Sequence, residues 1–522
     1  MGCFFGKDKM KMRNPIIWAD LPDPDVIRVN DTYYMTSTTM HFTPGCPIMK
    51  SKDLVNWEIV NYVYDVLEDS DIMTLQRGKH DYGRGSWASC LRYHNSIFYV
   101  ALAAYNTNKT YLFHTKDIEQ GNWDRYIIEG IYHDMSLLFD DDDRVYMVYG
   151  GGAIKVIELN KEVTAIKPNG MDKTIIPKTD IGGKGGLPAE GAHIYKVKGW
   201  YYIFLIAWPP ASATSFGRRI VICYRSRQID GEYEGRVLLD DDLDFYNMGV
   251  AQGGIVDTPE GEWYSVLFQD HGAVGRIPIL VPVIWEDEWP VFGVNRKVPK
   301  EIPMPISYGK GKGIVISDDF NESQLALEWQ WNHNPDNRFW SLTERSGWLK
   351  LTTGFLSRNL SDARNTLTQR TMGPTCKGSV LVDVAEMKEG DYAGLGALQD
   401  EYGFVGIKME DGQKSIVMVK ATPVDYPHYF MKYETGRAEI EVEYVPLTQD
   451  KVYLQVKFDF VDMIDVARFY YSLDGVNWFE IGDKLQMSYR LTHFVGYRFA
   501  LFNYATKEFG GAVYFEHFRF AN

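Results

Sequence analysis

Cysteine is scarce in this chain: five in 522 residues, at Cys3, Cys46, Cys90, Cys223 and Cys376, with no C-x-x-C pair among them. That spacing excludes the usual zinc cages and a disulfide-stapled scaffold, and it predicts free thiols. Positive charge is also short, with a formal net charge of −15. Nucleic acid and anionic membranes demand a basic face, so neither is an expected partner and a neutral ligand fits better. No stretch approaches the roughly 20 apolar residues of a membrane-spanning helix. The opening MGCFFGKDKMKMRNP has too short an apolar run for a secretory signal, and position 6 is Gly6 rather than the Ser or Thr of a myristoylation signal. As written, the chain reads as a cytoplasmic protein, and an exported form trimmed of its signal would look the same. Helix-period patterning is nearly missing from the first half. The glycine run Gly182 to Gly186 lacks Walker spacing and a following helix, so it reads as a flexible loop rather than a phosphate cradle.

What is abundant is aromatic: 14% of residues, with 14 Trp and 34 Tyr, a composition suited to pleated sheets and to stacking against sugars. One kind of hairpin recurs five times, in VIRVNDTYYMTS, CLRYHNSIFYVAL, LLFDDDDRVYMVY, IYKVKGWYYIFLI and IVDTPEGEWYSVLF. Each shows apolar alternation, a polar or glycine-bearing turn, and then a tyrosine: Tyr34, Tyr99, Tyr146, Tyr202 or Tyr264. Copies about 45 to 65 residues apart, with further β-like runs between them, predict a five-bladed β-propeller over residues 1–294.

Twelve residues before those tyrosines stand Trp87, Asp134, Glu190 and Gln252; in the first copy, whose turn is one residue shorter, Asp23 stands eleven before. Equivalent positions in a propeller converge on its axis, at the start of the innermost strands. One acid at such a place usually serves its own turn amides. Three at one repeat-equivalent position, beside a tryptophan, point instead to acid–base work or cation binding. Glycoside hydrolysis uses two carboxyl groups, one protonated and one ionised, and a third nearby raises the pKa of the acid. The Asp140 to Asp143 run falls where the other copies turn and reads as a solvated turn; Gly150 to Gly152 reads as a place of close approach.

The stretches NPIIWADLPDPDVIRV, GSWASCLRY, YHDMSLLFDDDDRVYMVYGGG, LPAEGAHIYKVKGWYYIF and GRIPILVPVIWEDEWPVFG resemble glycoside hydrolase family 43, in that family's order. The resemblance implies an inverting, exo-acting enzyme that removes terminal β-D-xylosyl or α-L-arabinofuranosyl units from xylan or arabinoxylan oligosaccharides. It implies Asp23 as general base, Glu190 as general acid and Asp134 as the residue tuning that acid. Trp87 resembles the tryptophan lining the sugar subsite, with Ser89 where the family has Pro, and Arg276 resembles an arginine beside the sugar. His41 and Phe42, in the loop TTMHFTPGCP, are expected at the substrate, as is Gln252. The family often carries a histidine at that fifth-blade position, near a bound ion or water cluster. No cofactor or catalytic metal is expected, while a structural calcium is left open; His271 is a substitute for the missing histidine or a hydrogen-bonded structural residue.

Residues 295–313, rich in Pro, Lys and Gly, read as a linker, and residues 314–522 as a β-sandwich. The pieces DYAGLGALQDEYGFVGI and YYSLDGVNWFEIG resemble the concanavalin-like jelly-roll domain of the family's β-xylosidases, which helps close one side of the pocket. Asp318 and Asp319 are either calcium ligands or a turn leading a strand. The fold expected is therefore all-β, with a homo-oligomer left open. Competing readings are a non-catalytic carbohydrate-binding propeller, a protein-interaction propeller, an endo-acting arabinanase-type hydrolase and a retaining fructosidase-type enzyme. Retention would place the carboxylates about 5–5.5 Å apart, against about 6.5–9.5 Å for inversion.

Overall fold

In the computed structural model, which describes residues 10–181, 187–212, 215–304, 311–421 and 438–522, each of the five hairpins begins a four-stranded antiparallel sheet. Blade 1 runs from Asp25–Val29 to Glu58–Tyr64, blade 2 from Ser86–His94 to Asp124–Glu129, and blade 3 from Ser136–Phe139 to Asp172–Ile176. Blade 4 runs from Leu187–Val197 to Glu234–Leu239, and blade 5 from Ile255–Asp257 to Trp289–Phe292. The glycine run Gly182 to Gly186 lies outside the described residues. Among those described there is no α-helix, and no helix is long and apolar enough to cross a membrane.

The repeated tyrosine has a packing reason. Tyr34 lies in the core between blades 1 and 2, Tyr99 between 2 and 3, and Tyr146 between 3 and 4. Tyr202 lies between blades 4 and 5, and Tyr264 between 5 and 1. Strand alternation sends neighbouring side chains to opposite seams, so Tyr33 packs in the 5–1 seam while Tyr34 packs in the 1–2 seam. Each blade is thereby apolar on both faces, which explains the dense aromatic composition.

Polar pins cross the axis. Asp25 is wholly buried; its Oδ2 accepts from the Leu91 amide at 2.7 Å and from Arg92 Nη1 at 2.8 Å, and its Oδ1 lies 3.1 Å from His193 Nδ1. Arg92 in turn donates to Ser136 Oγ and to the Leu137 carbonyl, so one ion pair joins blades 1, 2, 3 and 4. Burial works against the Asp25 charge, but Arg92 and His193 outweigh it and hold the carboxyl down at about 2. The aspartate run is a turn with one anchor in it: Asp140 is buried against Lys196 and Tyr201 of blade 4, while Asp141, Asp142 and Asp143 are exposed.

The expected linker is partly structured. Its Glu301–Met304 pairs antiparallel with Met10–Arg13, and Asn14 bonds the backbones of Leu280 and Pro299, so the chain segments flanking the propeller clasp where the ring closes.

The sandwich consists of two antiparallel sheets around one apolar core. One sheet runs from Glu439–Leu447 across to Gln330–Asn332 and is then extended by Phe42–Thr43, a strand contributed by the propeller. Asp318 accepts from the Phe320 amide and from Trp329 Nε1, and Asp319 pairs with Arg519, the arrangement of a turn leading a strand.

Candidate active site

A cavity of about 640 Å³ opens at the propeller axis, and Asp23, Trp87, Asp134, Glu190, Gln252 and Arg276 all line it. All five repeat-equivalent residues therefore meet, and the arginine joins them. The equivalence extends to the backbone: Asp23, Asp134 and Gln252 each precede the first strand of their blade in the left-handed region, at φ 52°, 47° and 55°. Such φ values are uncommon for residues other than glycine and aim the side chain out of the strand's regular pleat.

Asp23 is held on both oxygens. Thr38 Oγ1 donates to Oδ2 at 2.6 Å and Arg276 Nη1 to Oδ1 at 2.9 Å, with both members of the ion pair buried. Asp134 Oδ2 accepts from the Gly191 amide at 3.0 Å. Burial raises the pKa of Asp134, and the charges of Glu190 and Asp23 add to the rise, against the pull of His133. Gly191 itself sits at φ +68°, where a Cβ would come within 2.8 Å of the Gln252 amide carbon, so a glycine is required beside the glutamate. Gly151, in the glycine run after blade 3's second strand, lies against the Glu190 carboxylate; a Cβ there would be 3.6 Å from Oε2.

Glu190 is the most open of the three acids, with a quarter of its side chain exposed. Its Oε2 lies 3.0 Å from His133 Nε2, which is also 3.5 Å from Asp134 Oδ2, and Tyr105 Oη lies 2.8 Å from His133 Nδ1. Burial opposes a charge on His133, yet Asp134 and Glu190, with Asp23 beyond them, push its pKa up to about 9. His133, Asp134 and Glu190 form a group of donor atoms within 4.8 Å of one another. Two of the facing atoms are already hydrogen-bonded, an arrangement suited to sharing protons. The signal for His133 was its place directly before Asp134 in YHDM, which the one-residue-per-blade count passed over.

The sandwich supplies part of the wall. Leu491 and Phe494 reach the cavity; Phe494 stacks on Trp87 with ring centres 5.3 Å apart and lies under the Arg276 guanidinium at 4.6 Å. The Trp87 Nε1 is buried without a hydrogen-bond partner among the described residues, a donor available to a ligand hydroxyl. Arg84, Tyr105, Trp208 and Arg219 also line the cavity, and none was singled out from the sequence.

His41 and Phe42 do not line it, a correction to the sequence reading. Their loop turns away from the axis to join the sandwich. His41 is packed among Tyr82, His333 and His493, and Phe42 is buried in the ladder with Asn332 beneath the Arg498 guanidinium at 3.7 Å. An aromatic, polar loop next to the first blade is equally suited to a domain seam. His271 is structural: its Nε2 meets Gln269 Oε1 at 2.8 Å, its ring stacks on Phe245, and burial pushes its pKa down to about 3.

Residues 12–290 match the sequence profile of glycosyl hydrolases family 43. The chain belongs to this family. Residues 317–521 match the β-xylosidase C-terminal concanavalin A-like domain, so the family 43 propeller here carries the family's sandwich. A solved structure described as a bifunctional GH43-CE of Bacteroides eggerthii superposes with TM-score 0.90 at 49% identity, covering 98% of this chain and 64% of that one. The β-xylosidase of Formosa agariphila is 29% identical over 96% of this chain and 88% of its own. A non-reducing end α-L-arabinofuranosidase of Bacteroides ovatus is 27% identical over 79% of this chain and 78% of its own. The protein is a glycoside hydrolase acting on carbohydrate.

Proposed function

We propose that this enzyme is an inverting, exo-acting glycosidase that releases terminal β-D-xylosyl or α-L-arabinofuranosyl units from xylan or arabinoxylan oligosaccharides. The observation that carries the reading is the unequal treatment of three converging acids. Asp23 is tied to Arg276 and Thr38, which fix both of its oxygens and place it as a base that takes a proton from water. Glu190 is the exposed acid, placed to give a proton to the departing glycosidic oxygen. Asp134 is buried, bonded to the amide beside Glu190, and serves to orient and tune it.

In the proposed step, Glu190 gives its proton to the leaving oxygen as the bond to the anomeric carbon breaks. A water molecule attacks the opposite face of that carbon and loses a proton to Asp23. Trp87 and Phe494 offer faces to the sugar ring, and the wall contributed by the sandwich favours a single terminal unit over a chain passing through. The names of the relatives, β-xylosidase and α-L-arabinofuranosidase, support the choice of sugars.

The test is hydrolysis of chromogenic β-D-xyloside and α-L-arabinofuranoside side by side, with product anomers followed by NMR. Turnover with initial inversion is expected, and the rate ratio gives the sugar preference. Initial retention overturns the mechanism. Failure to turn over either sugar, with cleavage inside longer arabinans or xylans, overturns exo action; binding without cleavage overturns the enzymatic reading of the site.

A further inference from the structure

We propose that His133 is a positioning residue that shares one proton with Glu190 and takes it up again from solvent after each turnover, with Tyr105 steadying the imidazole. The inference rests on the reading of Glu190 as the general acid.

The geometry is that of a short relay. His133 Nε2 faces Glu190 Oε2 at 3.0 Å, and the opposite ring nitrogen faces Tyr105 Oη at 2.8 Å. A tyrosine hydroxyl can donate to the neutral ring or accept from the charged one, so the contact survives both protonation states. Four titratable groups face the imidazole: Asp134 beside it in the chain, Glu190 from blade 4, Asp23 from blade 1 and Tyr105 from blade 2. Three are acids; the arginines Arg84, Arg219 and Arg276 line the same cavity, and Arg219 interacts with Glu190 and Asp23. The pKa of about 9 agrees with this surrounding.

An acid that has given up its proton lies beside two other carboxylates, where a second negative charge is costly. His133 resolves that. Imidazolium with carboxylate, and imidazole with carboxylic acid, are two placements of one proton between Nε2 and Oε2. A turn of the Glu190 carboxyl then presents that proton to the leaving oxygen. After transfer neither group holds that proton, and His133, its side chain 24% exposed, takes one from water and restores the shared state. Each cycle hands one proton along, from solvent to the imidazole, from there to the carboxylate, and on to the leaving oxygen.

Loss of the imidazole therefore removes one of the two places where that proton rests. The experiment is kcat/KM against pH for His133→Asn and Tyr105→Phe, on a xylo-oligosaccharide and on a dinitrophenyl glycoside whose leaving group needs no proton. In His133→Asn the basic limb on the oligosaccharide is expected to move down by at least one pH unit, about tenfold at the upper end, with a much smaller loss on the dinitrophenyl substrate. Tyr105→Phe is expected to shift the limb the same way, by less. An unmoved limb with uniform loss over pH and on both substrates overturns the proposal and leaves His133 a packing residue.

If His133→Asn fails to fold, the NMR titration of His133 in the native enzyme decides: a pKa at or below the usual histidine value overturns the proposal, and one well above it supports it. Glu190→Gln separates the two readings. If it loses the oligosaccharide and spares the dinitrophenyl substrate, the acid stands and the His133 arm is judged on its own. If it does not, the assignment of the acid has failed first.

Discussion

Asp20 joins Gly496 to the pocket arginine: its Oδ2 accepts from the Gly496 amide and its Oδ1 from the Arg276 amide, each at 2.8 Å. One buried carboxylate thus fixes the backbone of the propeller residue that holds Asp23 against the sandwich loop that carries Phe494. Replacement by Ala leaves two buried amides unpaired, at about 1–3 kcal/mol each. Asp20→Ala is expected to lower the thermal midpoint and to reduce kcat/KM on every substrate. Thermal melts and steady-state kinetics on the same preparation check this, and unchanged kinetics in the folded variant would separate the seam from the site.

Asp25→Asn removes the partner of a buried arginine, and breaking such a pair costs about 3–5 kcal/mol. The same group sets an acid limit. Its folded pKa of about 2 lies below the ordinary 3.8, so its contribution is present above that ordinary value and is lost as pH falls through about 2. Denaturant midpoints of the native enzyme should drop between pH 4 and 2, with the Asn variant showing a shallower drop over that window.

Phe494→Ala opens the wall between Trp87 and Arg276. Displacing groups by an ångström around a reacting centre can cost about 10²-fold, and a loss of that order in kcat/KM is expected with a Tm within a few degrees of native. Kinetics on mono- and oligosaccharide substrates would show the loss largest where the terminal sugar is the whole ligand.

Cys46, Cys90, Cys223 and Cys376 are buried, and burial pushes the thiols of Cys46 and Cys376 up to about 12 and that of Cys90 to about 11. A thiol reagent at pH 8 should leave these four untouched in the native protein and label all five cysteines after unfolding. Fast labelling of more than one thiol in the native state would contradict the described packing.

The propeller was legible because its period is carried by a large side chain with a fixed job: each blade needs an aromatic in the seam with its neighbour, so the tyrosines mark the repeat. The acids followed by counting from those marks. Residues away from the one counted place in each blade stayed hidden. His133 sits one residue off the counted position, Tyr105 follows the second strand of blade 2 and Trp208 ends that of blade 4, and Phe494 arrives from a different domain. His41 and Phe42 were misplaced because an aromatic loop beside the first blade looks the same whether it faces sugar or sandwich. The ladder of Glu301–Met304 was invisible in a Pro- and Lys-rich stretch because its partner is Met10–Arg13, almost a whole propeller away.

The strand Phe42–Thr43 has a consequence for how the chain is made. It leaves the ribosome long before its partner exists: Gln330 Nε2 bonds the Pro44 carbonyl across 286 residues of sequence. A nascent propeller can close its five blades and its clasp, yet one loop must wait, with an apolar phenylalanine and an open strand edge, until the sandwich sheet is synthesised. Enzyme maturation is therefore timed by the sandwich, and the pocket gains its Phe494 wall in the same late event.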